Sequence, residues 1–164
     1  MSNSKDIELK NSVEAAIEKD EELGNRYAIH VDVIEEEVQL LGVVDTLSEK
    51  ERLERFVKNI PGVVHVSNGL TISTDGLITD RGVEFEVAEE LQADPRVDTK
   101  HIGAKSYHGS VHLVGRSDDK DEIKAAANAA SRARGVKRVI SEVHPVSHDR
   151  EKDVFHSQVR NDGD

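Results

Sequence analysis

Four bases, Arg132, Arg134, Lys137 and Arg138, fall within seven residues of a chain whose net charge is −11. Against that acidic background they are the residues best suited to hold an anion. A guanidinium can grip a phosphate or carboxylate with two parallel hydrogen bonds, and Gly135 among them allows a tight turn. The expected ligand is an anionic headgroup. The competing reading is structural: bases in a last helical turn complement the helix dipole by about 0.3–1 kcal/mol each.

Other chemistry-bearing residues form no motif. His108 and His112 are four apart, but Gly109 and an alternating strand pattern deny them the shared helix face of a zinc site. His144 and His148 lie at the start of a polar tail. No metal is expected. Gly42, Gly62, Gly109, Gly115 and Gly135 match neither G-x-x-x-x-G-K-[ST] nor G-x-G-x-x-G, so they are expected as structural turn glycines. No serine sits in a G-x-S-x-G elbow, and the absence of cysteine removes thiolate chemistry. The acidic runs 18–22, 35–37 and 117–122 lack calcium-loop spacing and suit solvated surfaces and helix caps. Potassium held by backbone carbonyls would leave no readable motif. No catalytic residue and no cofactor are expected.

Composition narrows what must position these residues. Of 164 residues, 36% are apolar and 3% aromatic, so aliphatic side chains must fill the core. Residues 1–75 carry 16 acids and 8 bases, and residues 76–164 carry 17 and 14. Such a chain repels phosphate backbones at long range, so nucleic acid is not an expected partner. No stretch has the ~18 apolar residues of a membrane span, and the polar start MSNSKDIELKNS has no secretory signal pattern.

An internal repeat organises the chain. Val38-Gln39-Leu40-Leu41-Gly42 returns 73 residues later as Val111-His112-Leu113-Val114-Gly115. Gly62-Val63-Val64-His65-Val66 returns at the same spacing as Gly135-Val136-Lys137-Arg138-Val139, while Ile17 and Asp20 match Leu91 and Asp94 at a spacing of 74. Each copy reads helix, strand, strand, helix, strand. Leu9, Val13, Ala16 and Ile17 have helical spacing; Ile29, Val31 and Val33 alternate as a strand. Ser48-Glu49-Lys50-Glu51 predicts a capping box opening a helix with Leu53, Phe56, Val57 and Ile60 inward, stopped at Gly62. In the second copy, helices are predicted over roughly 81–93 and 119–134 and strands over 101–107, 110–115 and 136–143. The turn equivalent to 132–138 in the first copy, Asn59-Ile60-Pro61-Gly62-Val63-Val64-His65, is nearly uncharged.

The pattern V-x-L-x-G-x-V, charged helix, G-V-x-x-V-x-N-x-L resembles the BON domain (bacterial OsmY and nodulation) family. It stands here as Val38 to Val44 and Gly62 to Leu70, and again as Val111 to Gly115 and Gly135 to Val139. Ser141-Glu142-Val143 replaces Asn68-Gly69-Leu70 in the second copy. Glu35-Glu36-Glu37 stands where the family has a glycine turn, a glycine that the second copy keeps as Gly109. The resemblance implies an α/β (α+β) fold of two αββαβ units, each a three-stranded mixed sheet with two helices on one face. The expected layout is a flexible N-terminus over 1–5, units at 6–73 and 79–145, a linker at 74–78 and a disordered polar tail at 146–164. The resemblance also implies a non-catalytic binding module tied to phospholipid surfaces, the envelope or osmotic stress. The alternative is a cytoplasmic ion-responsive (potassium) module or a protein-interaction scaffold. The absence of a signal pattern leads us to expect a cytoplasmic location.

Overall fold

The computed structural model describes residues 4–24, 27–73 and 79–146, and the chain divides into two compact units, Met1–Leu77 and Ile78–Asp164. The expected linker 74–78 and the tail from residue 147 onward lie outside the described residues. Helical spacing and strand alternation generate the same order of elements twice. The first unit runs α1 (Ser4–Lys19), β1 (His30–Ile34), β2 (Glu37–Val44), α2 (Leu47–Lys58) and β3 (His65–Ile72). The second runs α3 (Asp80–Ala93), β4 (Ile102–Tyr107), β5 (Ser110–Arg116), α4 (Lys120–Ser131) and β6 (Arg138–His144). In each sheet the middle strand pairs antiparallel with the first and parallel with the third. This is the predicted α+β architecture of two repeated units.

One face of each sheet is buried beneath its helices. In the first unit Val38, Leu40 and Val44 of β2 pack with Val13 and Ile17 of α1 and Leu53 and Val57 of α2. In the second unit Val111 and Leu113 of β5 are fully buried, as are Ala126, Ala129 and Ala130 of α4. A face of alanines lets that helix lie close to its sheet, at a gain of roughly 0.8 kcal/mol per methyl group buried. The opposite sheet faces are open: Leu41, Val43 and Ile140 stay exposed there.

Both hairpins between the first two strands are two-residue turns with left-handed backbone. Glu35 and Glu36 occupy one, at φ 49° and 68°; His108 and Gly109 occupy the other, at φ 48° and 87°. Three of these four residues are not glycine, so the conformation costs of order 1 kcal/mol or more at each. An aspartate at the start of the preceding helix offsets that strain. Asp6 accepts hydrogen bonds from the N–H groups of Glu35 (3.1 Å) and Glu36 (3.2 Å), and Asp80 accepts from that of His108 (2.8 Å).

Three details differ from the sequence reading. The cap of α2 is Thr46, whose Oγ1 accepts from the Glu49 N–H at 3.3 Å, two residues before the predicted Ser48. Leu47, the first residue of the helix, is buried. Helix α4 ends at Ser131 rather than 134, because the Arg132 N–H turns to the carbonyls of Ala129 and Ala130. Gly42 and Gly115 stand within strands, not in turns. A Cβ on Gly115, at φ 124°, would strike the His101 carbonyl oxygen. That oxygen accepts the Arg116 N–H at 3.0 Å, so the glycine permits the close approach that starts β4.

Candidate functional site

Among the described residues the four predicted bases divide into one that is paired and three that are not. Arg132, capping α4, reaches back to α3: its Nε lies 3.4 Å from Glu90 Oε2 and its Nη2 lies 3.6 Å from Asp94 Oδ2. Asp94 is buried and receives Arg96 through the backbone N–H (3.0 Å), Nε (3.0 Å) and Nη2 (2.9 Å). Those Arg96 bonds, with the charges of Arg96 and Arg132, hold its carboxyl down to about 2. Arg132 is therefore part of a helix-to-helix clamp.

Arg134, Lys137 and Arg138 are exposed, and among the described residues none has an ion-pair partner. They follow α4 around the turn at Gly135, φ 83°, into β6. The N–H groups of Lys137 (2.8 Å) and Arg138 (3.3 Å) both bond the Gly109 carbonyl, joining this turn to the β4–β5 hairpin. Gly109 is buried, and a side chain there would strike the Lys137 stem at 2.9 Å. Arg138 pairs with Ser110, and Ser110 with Tyr107, so all three share the open face of the sheet at one end. The result is a corner with three cations unpaired among the described residues, a charge pattern suited to anions.

A second polar cluster in the same unit is closed on itself. Glu122 is buried at the start of α4 and accepts from Ser117 Oγ (2.6 Å) and the Asp98 N–H (2.7 Å), with His101 Nδ1 at 3.2 Å. Burial pushes this carboxyl up, but the bonds from Ser117, Asp98 and His101 outweigh it and hold the group below the usual carboxylate range. Serine, glutamate and histidine thus occur together, but in the wrong order for a nucleophile. The serine hydroxyl donates to the carboxylate, and among the described residues no imidazole is set to take its proton. Nearby, a cleft of about 390 Å³ is lined by Lys100, His101, Gly115, Arg116 and Val146. Among the described residues no group of three or more His, Asp or Glu side chains could hold a metal ion, and no helix is long and apolar enough to cross a membrane.

Sequence reasoning missed Asp6, Asp80 and Tyr107. The aspartates repeat at the 74-residue spacing already seen for Ile17 and Leu91, and that signal could have exposed them. Tyr107 stood out only as one of few aromatics.

The chain belongs to the BON domain family, whose model matches residues 5–74 and 79–144. Among curated relatives, the outer membrane lipoprotein DolP of Haemophilus influenzae is 30% identical over 82% of this chain and 72% of its own length. Osmotically-inducible protein Y of Escherichia coli is 29% identical over 62% of this chain and 54% of that protein. The 21 kDa hemolysin of Actinobacillus pleuropneumoniae is 26% identical over 84% and 73% respectively. The expectation of a cytoplasmic location does not stand, since the first of these relatives is an outer membrane protein. That expectation rested on a missing signal pattern.

Proposed function

We propose that this protein is a non-catalytic binding module that engages anionic phospholipid headgroups through Arg134, Lys137 and Arg138, in an outer-membrane or osmotic-stress setting. One observation carries the reading: three cations, without ion-pair partners among the described residues, share one corner of a protein whose net charge is −11. Long-range repulsion would keep such a protein off an anionic surface, so the attraction must be local and oriented. Each base near an anionic bilayer contributes about 1 kcal/mol, giving about 3 kcal/mol for the corner. The names of two relatives, an outer membrane lipoprotein and an osmotically inducible protein, support the setting.

The test is co-sedimentation with phosphatidylglycerol and phosphatidylcholine vesicles at low salt. Binding to the first only is expected, weakening as salt rises. Arg134→Glu with Arg138→Glu should abolish it without lowering the melting temperature, because both side chains are exposed. Undiminished sedimentation of the folded double variant overturns the site.

A further inference from the structure

The two units offer an internal comparison of the same corner. Tyr107 and Ile34 end equivalent strands, and both are exposed, at 68% and 51%. Each is followed by a two-residue left-handed turn fastened to its helix by an aspartate. In the first unit this turn is Glu35-Glu36, leading into Glu37, and the neighbouring loop contributes Val64 and His65. In the second it is His108-Gly109, and the neighbouring loop contributes Lys137 and Arg138. One scaffold thus presents an apolar residue among acids in one copy and an aromatic residue among bases in the other.

We propose that the β4–β5 hairpin tip is an interfacial anchor, with the Tyr107 ring seated at the headgroup level of an anionic bilayer while Arg134, Lys137 and Arg138 bind the phosphates around it. The proposal rests on the lipid reading above and adds that the contact inserts, that it is oriented, and that it belongs to the second unit alone. A tyrosine suits this boundary because its ring is apolar and its hydroxyl stays wet. The ring meets the His108 imidazole edge to face, with centroids 4.4 Å apart and an angle of 72°. The Asp80 bond to the His108 N–H at 2.8 Å and the bonds from the Lys137 and Arg138 N–H groups to the Gly109 carbonyl tie the backbone of the aromatic and of the bases together at one corner. At the matching corner of the first unit, Glu35, Glu36 and Glu37 repel the same surface.

The chain contains no tryptophan, so Tyr107→Trp creates a single reporter. On phosphatidylglycerol vesicles its emission should move to shorter wavelength and become shielded from a water-soluble quencher. Ile34→Trp in the first unit should show neither change. Tyr107→Ser should weaken vesicle binding about tenfold, the effect of removing part of one ring from water. If the Tyr107→Trp variant sediments with vesicles but its indole emission stays unshifted, insertion is refuted while headgroup binding stands. No sedimentation at all refutes both. An equal shift with soluble inositol phosphate would assign the corner to a free phosphate ligand and overturn the anchor.

Discussion

Replacing Glu122 by Gln exchanges one carboxylate oxygen for an NH2 group and removes the charge at the hub that ties the start of α4 to the loop before β4. Ser117 Oγ at 2.6 Å and the Asp98 N–H at 2.7 Å both donate to that carboxylate. Hydrogen bonds to a charged group contribute about 1.5–3 kcal/mol, and neutral ones about 0.5–1.5 kcal/mol. The Gln oxygen can keep the Asp98 N–H, but its NH2 must then donate to Ser117 Oγ. Two charge-assisted bonds thus become neutral ones at a cost of about 2–3 kcal/mol, or roughly 8–24 °C in the melting temperature of a unit this size. The pH dependence has a definite sign. The folded carboxyl lies below its ordinary value, so its stabilisation is complete above the unfolded value of about 4.3 and is lost as pH falls through the lower folded one. Urea unfolding followed by amide hydrogen exchange separates the units: Val111 and Leu113 report the second, Val38 and Leu40 the first. At pH 7 the variant should lose protection at the former pair only, and its deficit should narrow below about pH 4. A variant within about 0.5 kcal/mol of wild type at pH 7, or a deficit independent of pH, would refute the reasoning.

Three further outcomes follow from equally local features. Gly115→Ala should cost about 3 kcal/mol or more in thermal unfolding, since φ is 124° and the new Cβ meets the His101 carbonyl; Gly103→Ala, with nothing within 4 Å, should be neutral or slightly stabilising. Thr46→Ala should destabilise by about 1 kcal/mol, and Ser48→Ala by less than half of that, which chemical denaturation can tell apart. An NMR titration should find the Asp94 carboxyl near 2, and Arg96→Ala should raise that value; stability from this pair should be lost only as pH falls from about 4 towards 2.

Local periodicity determined much of this protein. Alternation at Val31 and Val33, helical spacing at Val13 and Ile17, and a recurrence at 73 residues were enough to order ten elements and assign their inward faces. Those signals survive in one dimension because a strand repeats every two residues and a helix every 3.6. The candidate site was legible only as a cluster of charges. Spacing could not tell that Arg132 would be drawn to Glu90 and Asp94, some forty residues earlier, while its three neighbours stayed unpaired among the described residues. Nor could it show that Asp80 bonds His108, or that Tyr107 ends on the same face as Arg138. Partners 28 to 42 residues apart are chosen by sheet register and helix packing. A shift of one residue in the pairing of β4 with β5 would turn Tyr107 to the opposite face. Sequence therefore determined which groups were available, and tertiary structure decided which of them were neutralised and which were left facing outward together.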